Sequence, residues 1–285
     1  MSFDLPGEYM FYDGAMGTML QKCGLEPGAR PDILNMTNPD AVEGIHRMYV
    51  DAGSEIICAN TFGCNPYALR GTGYTPAEVI CAAVAIAKRA SAGKAKVALD
   101  IGPTGQLLDP IGDLEFDEAY EIFREQAVAG EEAGADFIAI ETMSDLAEMK
   151  AALLASVGNT GLPVLATMTF DKTGRTYLGY GPEEFAVAAE QLGASAAGLN
   201  CSFGPLEMYD TAARIAKATS LPLIVKPNAG LPDSVTGGYS IGPEAFAVQM
   251  GRFKEVGARI VGGCCGTTPD HIRELRKAFL KETAD

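Results

Sequence analysis

The stretch EVGARIVGGCCGTTPDHI, residues 255–272, runs from the end of one helix, through a strand, to the start of the next. Gly257 follows a helical segment, a small residue comes next, and the strand Arg259–Gly262 begins. A glycine just past a helix supplies the left-handed turn that ends it. The same signal recurs in DAGSEII (51–57), EAGADFI (132–138) and QLGASAAG (191–198). Between these units the chain alternates short apolar runs with longer amphipathic segments. The runs predict strands at Met10–Asp13, Glu55–Ala59, Lys96–Ile101, Asp136–Glu141, Pro163–Thr169, Ala196–Asn200, Leu223–Lys226 and Arg259–Gly262. Helices are expected to start near Asp40, Pro76, Asp117, Ser144, Pro182, Pro205, Pro243 and Pro269. Most of these starts carry a proline or a capping side chain, as helix N-termini do.

Eight strand–helix units in 285 residues imply a single (β/α)8 barrel spanning 1–285 as one domain. A doubly wound sheet is the alternative, but it needs a reversal of strand order that eight even units do not suggest. No linker or low-complexity tract divides the chain. The segments Gly14–Pro39 and Pro227–Gly242 are expected to be long loops, and long loops in compact domains tend to be functional.

Barrel enzymes gather their chemistry at the C-terminal strand ends. Asp13, Asn60, Thr61, Asp100, Glu141, Thr142, Cys201, Asn228, Cys264 and Cys265 all fall there. Neighbouring side chains on a regular strand point to opposite faces, so adjacent Cys264 and Cys265 can meet only where the backbone leaves the strand. Gly262, Gly263 and Gly266 permit that departure. Together with Cys201, the pair can form a three-thiolate site for a soft metal, with zinc the first candidate. The bland alternatives are unrelated rim and core cysteines, or a vicinal disulfide, which needs a strained ring and an oxidising setting.

Three protein ligands leave one position open. Three thiolates also make the metal a poor activator of water and a good partner for a fourth thiol. That chemistry points to S-alkylation. A carboxylate from Asp13 or Glu141 near the bound thiol would then hold an α-ammonium group; without a metal, both would be ordinary rim acids. Cys23, Cys58, Cys64 and Cys81 read as ordinary buried or semi-buried residues. His46 and His271 fall within helices and are expected on the surface or in helix packing. The glycine-rich GLPDSVTGGY (230–239) matches a phosphate loop only weakly.

The bulk composition narrows the partners. The chain is 47% hydrophobic and carries a net charge of −15, which argues against nucleic acid and anionic membranes as partners. No apolar stretch has transmembrane length. The first residues lack a signal peptide's basic and apolar regions, so a cytoplasmic setting is expected. Seven cysteines without a secretory signal point away from a disulfide framework.

The combination DGAMGTML (13–20), NTF (60–62), IET (140–142), GLNCS (198–202), PNAGLP (227–232) and GGCCGTTPDHI (262–272) resembles the homocysteine S-methyltransferase family over essentially the whole chain. The DGAMGT start is most similar to the homocysteine-binding zinc module of the cobalamin-dependent branch, rather than to the betaine-dependent one. The resemblance implies a zinc-bearing barrel that methylates L-homocysteine to methionine. By position it implies zinc ligands at Cys201, Cys264 and Cys265, and a substrate-holding region at Asp13, Gly14, Glu141 and Thr142. Asn228 becomes a weak, displaceable fourth ligand when substrate is absent. No Asp-x-His-x-x-Gly cobalamin signature occurs, so methylcobalamin is expected on a separate corrinoid protein or module. The chain would then be a stand-alone subunit or a fragment of a larger enzyme. A small donor such as S-methylmethionine or betaine is the alternative, and a non-catalytic zinc or thiol sensor is the reading from another class.

Overall fold

The computed structural model describes residues 5, 7–26, 28–233 and 237–280. Its eight parallel strands are β1 (Met10–Phe11), β2 (Ile56–Cys58), β3 (Lys96–Ile101), β4 (Phe137–Met143), β5 (Val164–Met168), β6 (Ala196–Cys201), β7 (Leu223–Pro227) and β8 (Ala258–Val261). They pair in the order β1-β8-β7-β6-β5-β4-β3-β2. The circle closes between β1 and β2 through the Tyr12–Ile56 bridge, with the Asp13 amide donating to the Ile56 carbonyl at 2.9 Å and the Glu55 amide to the Phe11 carbonyl at 2.7 Å. The molecule is a single (β/α)8 barrel, as the eight units predicted.

The principal helices are α1 (Gly17–Lys22), α2 (Leu34–Thr37), α3 (Pro39–Ala52), α4 (Pro76–Ser91), α5 (Phe116–Glu132), α6 (Leu146–Asn159), α7 (Pro182–Gln191), α8 (Pro205–Ala218), α9 (Pro243–Gly251) and α10 (Pro269–Leu280). The four return signals work as read: Gly53, Gly134, Gly193 and Gly257 have φ of 100°, 90°, 86° and 80°. A side chain would be strained at such dihedrals. Helix starts follow their caps. Thr75 and Glu78 form a reciprocal capping box on α4, and Asp145 caps α6 by accepting from the Ala147 amide at 2.8 Å.

The expected loop from Gly14 to Pro39 is more ordered than its sequence suggested. It contains α1, a short 3-10 turn at Pro31–Ile33, and α2. Leu20 is buried and Met16 and Met19 pack against the core, so tertiary burial stabilises helices too short to form alone. In the other long loop, residues 234–236 lie outside the described residues. Pro232 and Tyr239 nevertheless pair across its base.

Strand residues divide by period two. Phe11, Ile57, Val97, Leu99, Ile138, Ile140, Val225 and Val261 face the helices. Met10, Tyr12, Ile56, Ala98, Phe137, Ala139, Leu165, Ala196, Ile224 and Ile260 form a separate apolar plug inside the barrel, with Cys58 packed against it. Further along the strands, the same alternation reaches Cys58, Asp100, Glu141, Thr167, Asn200 and Lys226. The barrel interior is therefore apolar below and polar above, and the polar layer floors the pocket described next.

Candidate active site

A cavity of about 520 Å³ opens at the C-terminal ends of the strands, with the cysteine cluster on one side and the acidic floor below. Cys201 ends β6 in a left-handed conformation (φ 59°), and Ser202 repeats it (φ 61°). Two successive residues so placed swing the chain sharply off the strand, at a strain cost of order 1–3 kcal/mol each. Beyond β8, the Gly262 amide still donates to the Val225 carbonyl at 3.1 Å and the Cys264 amide to the Pro227 carbonyl at 2.8 Å. The chain then turns. Thr267 clamps the turn: its hydroxyl donates to the Cys264 carbonyl at 2.7 Å and accepts from the Ala15 amide at 3.2 Å. A Cβ at Gly263 would lie 2.4 Å from that hydroxyl, so glycine is needed there.

The result brings the Sγ atoms of Cys201, Cys264 and Cys265 within 4.8 Å of one another. Tetrahedral zinc–sulfur bonds of about 2.3 Å would separate sulfurs by nearly 4 Å, so the donor set suits such an ion. The thiols share charge unevenly. Hydrogen bonds from Cys264 and then Cys265 bring Cys201 down to about 3. Cys265 is pushed up to about 11, first by its bond to Cys201, and Cys264 is raised well above the ordinary thiol range for the same reason. The Asn228 side chain also helps to lower Cys201. Its buried Oδ1 has no hydrogen-bond partner, which leaves a carbonyl-type oxygen free beside the sulfurs.

The floor holds the carboxylates. Asp13, just past β1, accepts from the Cys58 amide at 2.8 Å. Burial pushes its carboxyl up to about 7, opposed by the Lys226 charge and that amide. Asp100 is raised well above the usual carboxylate range by burial and by Glu141, and its Oδ1 is buried without a partner. Glu141 pairs with Lys226, whose side chain is 4% exposed and whose ammonium lies 4.2 Å from the Tyr12 ring centroid. Burial works against the Lys226 charge, but Glu141 and the other groups around it hold it well above the ordinary lysine range. Glu141 and Asp100 also lie within 4.8 Å of the Cys58 sulfur.

Asp13, Gly14, Glu141 and Thr142 all line the same cavity as the three cysteines. Gly14 is pressed by its neighbours: a Cβ there would lie 2.5 Å from Thr267 Oγ1. Thr142 is left-handed (φ 63°) and is held by Asn200, which accepts from its amide at 2.9 Å. Asn60 and Thr61 support the rim from below. Asn60 donates to the Pro31 carbonyl and Thr61 to the Asp100 carbonyl, both at 2.8 Å.

Reading the sequence alone left Lys226, Asn200 and Tyr239 unremarked, and treated Cys58 as ordinary although it lines the cavity. The period-two alternation from the apolar plug would have found Cys58, Asn200 and Lys226. Tyr239 sits on the loop after β7 with no such signal. Cys64 is buried as expected, but Cys23 and Cys81 are exposed, against the expectation of burial. His46 and His271 are both buried in helix packing. Burial lowers both, His46 to about 4, and His271 Nε2 contacts the Ile241 carbonyl at 2.9 Å.

A profile of the homocysteine S-methyltransferase family matches residues 10–279. The chain belongs to the homocysteine S-methyltransferase family. It is 38% identical over 302 residues to the methionine synthase of Mycobacterium leprae, covering 95% of this chain and 24% of that protein. The Mycobacterium tuberculosis methionine synthase is also 38% identical, over 94% of this chain and 24% of its own length. The chain thus spans about a quarter of the length of these relatives. Among solved structures, the metallated form of the homocysteine methyltransferase MmuM from Escherichia coli superimposes with a TM-score of 0.81 at 22% identity, covering 95% of this chain and 96% of that one. This likeness carries the barrel fold. Among the described residues, no helix is long and apolar enough to cross a membrane.

Proposed function

We propose that this homocysteine S-methyltransferase family barrel binds zinc through Cys201, Cys264 and Cys265 and transfers a methyl group to the thiol of L-homocysteine, giving methionine. The observation that carries this reading is the meeting of three sulfurs within 4.8 Å of one another on the wall of a cavity floored by carboxylates. The chemistry a zinc ion supplies in such a site is stabilisation of the substrate sulfur as a thiolate, the nucleophilic form.

The chain's own residues do the rest. Asn228 would offer the metal a neutral oxygen as a weak, displaceable fourth ligand. Glu141 and Asp13 receive the substrate's α-ammonium group, and the ionised form of Asp13 binds it best. Lys226 fixes Glu141 in place through their buried ion pair. Gly14 and Thr142 shape the wall between the two ends. The new S–CH3 bond forms as the donor–CH3 bond breaks, the donor keeping the electron pair.

The donor we assign is methylcobalamin carried by a separate corrinoid protein or module. Support comes from the DGAMGT start and from relatives named methionine synthase. Turnover with free S-methylmethionine or betaine, and none with a methylated corrinoid protein, would replace this donor with a small one.

Metal analysis with X-ray absorption, with and without L-homocysteine, tests the core of the reading. The expected outcome is one zinc per chain with three sulfur neighbours, rising to four when homocysteine is added. Zinc whose neighbours ignore homocysteine would make the site a structural or sensing one.

A further inference from the structure

An ammonium group carries three N–H donors, and each needs an acceptor once water is excluded. The reading above supplies two acceptors for the substrate's α-ammonium, Glu141 and Asp13. The floor holds a third acid, Asp100, to which no role has been given. Its backbone is pinned by one hydroxyl: the Asp100 amide donates to Thr61 Oγ1 at 3.0 Å, and Thr61 Oγ1 donates to the Asp100 carbonyl at 2.8 Å. The side chain is thereby held at the cavity, which it lines together with Asp13 and Glu141.

Asp100 is 8% exposed, and its Oδ1 is enclosed without a hydrogen-bond partner. A buried acceptor left unpaired is costly, and an N–H brought in by a ligand would remove that cost. The spacing suits such a ligand. Carboxyl oxygens of Asp100 and Glu141 lie within 4.8 Å of each other. Two oxygens that accept from one tetrahedral nitrogen, each at about 2.8 Å, stand about 4.6 Å apart. The charges also balance if Asp100 is the neutral member of the floor. Asp13 and Glu141 as anions match Lys226 and one incoming ammonium. Burial and the neighbouring Glu141, with Asp13 and Asp32 adding to them and Lys226 opposing, raise Asp100 well above the usual carboxylate range. A neutral acid keeps a carbonyl oxygen that accepts an N–H, and its O–H can turn to Glu141 or the Cys58 sulfur, both within 4.8 Å.

We infer that Asp100 is a further substrate-binding residue, whose carboxyl oxygen accepts an N–H of the α-ammonium group and completes, with Glu141 and Asp13, a three-acceptor cradle that selects a primary amine. The inference rests on the zinc–homocysteine reading above and adds a specificity-determining residue to it. A purely structural Asp100 would affect every thiol that enters the cavity when it is removed. An acceptor for the ammonium affects only thiols that carry one.

The test uses the zinc-loaded chain and calorimetry with two thiols. One is L-homocysteine; the other is 4-sulfanylbutanoate, which has the same thiol, chain length and carboxylate but no amine. Asp100→Leu should bind L-homocysteine roughly tenfold more weakly than wild type and 4-sulfanylbutanoate equally well. Asp100→Asn keeps the accepting oxygen of a neutral acid and should bind L-homocysteine within about threefold of wild type. Zinc content is measured on every sample. Should Asp100→Leu fail to fold, Asp100→Ala takes its place. Equal loss for both thiols, no loss for either, or an Asp100→Asn variant as weak as Asp100→Leu would overturn the inference and leave the zinc reading standing. A wild-type chain that holds no zinc, or that binds neither thiol when loaded, would overturn the zinc reading itself and the inference with it.

Discussion

At one side of the pocket, three sulfurs are carried by backbone that leaves the sheet; at the floor, three carboxyls and a lysine are carried at or beside strand ends in the barrel's regular alternation. The sulfur side is held by left-handed Cys201 and Ser202, by glycines, and by the Thr267 clamp. The floor needs less of that: there only Thr142, beside Glu141, is left-handed. Asp100, Glu141 and Lys226 continue the inward rows of β3, β4 and β7, and Asp13 follows β1. The contrast teaches that geometry is costly where atoms must converge to bonding distance, while charge needs only an enclosed place. Metal affinity should therefore depend on the sulfur side, and folding stability and substrate affinity on the floor.

The sharpest way to break this division is to remove a sulfur. Cys201→Ala, Cys264→Ala and Cys265→Ala should each lower zinc affinity by more than about a hundredfold, beyond the usual cost of losing an outer hydrogen-bond partner, and abolish activity. Competition with a chromophoric chelator reads this directly. Cys58→Ala and Cys81→Ala should keep the metal, although Cys58 lies in the same cavity.

Lys226→Met attacks the floor. It leaves Glu141 buried beside Asp100 with no cation, and breaking a buried pair from one side costs about 3–5 kcal/mol. Denaturant melts should show that loss, while zinc affinity of the folded protein stays close to wild type. A large fall in zinc affinity with unchanged stability would mean that the two regions are not separate.

Asp13 gives the pH dependence. Its carboxyl lies near 7 in the folded chain against an ordinary 3.8, because burial disfavours the charge. Between those values the folded chain holds a proton that the unfolded chain has released, so stability falls as pH rises through the window. Asp13→Asn should flatten that fall and stabilise the protein at pH 8 by roughly 2–4 kcal/mol, seen in thermal melts. Homocysteine affinity of the wild type should rise with pH through about 7 more steeply than release of the thiol proton alone requires, and the variant should keep only the thiol's share of that rise.

The smallest effect on ligand binding is expected from Glu141→Gln, which also breaks the buried pair but leaves Lys226 with Asp100 still near it. It keeps the shape and removes one charge facing the substrate's ammonium group. Homocysteine should bind about tenfold more weakly, near the 1.5–3 kcal/mol of a charged hydrogen bond, with zinc retained. Equal weakening of zinc would erase the distinction between floor and sulfur side.

The same contrast explains what could be read from the sequence. The barrel was legible because its punctuation is local: Gly53, Gly134, Gly193 and Gly257 each close a helix within a few residues of the next strand. The sulfur side was legible because two adjacent cysteines among glycines are unusual in any strand. The floor was only half legible. Asp13 and Glu141 stood out as polar strand ends, whereas Lys226 and Asn200 look like ordinary interruptions of apolar runs until the inward row is known. Tyr239 was hidden altogether, since no local pattern says that a residue in the loop after β7 folds back over Gly266. The helices α1 and α2 were missed because burial of Leu20 and its neighbours stabilises them, not their own propensity.

The central claim is that the three-cysteine site takes the substrate thiol as a thiolate. Calorimetry of L-homocysteine binding, in buffers of different ionisation enthalpy, measures the proton released. Glu141→Gln and Asp13→Asn serve as controls for the floor. Zinc-loaded protein near neutral pH should release close to one proton per homocysteine from the thiol, because a free thiol with a pKa of about 8.5 or above is still protonated there. That proton should persist in both floor variants and vanish, with most of the affinity, when zinc is stripped. Full-strength binding by the stripped protein, or binding by the loaded protein with no proton released, would contradict the account.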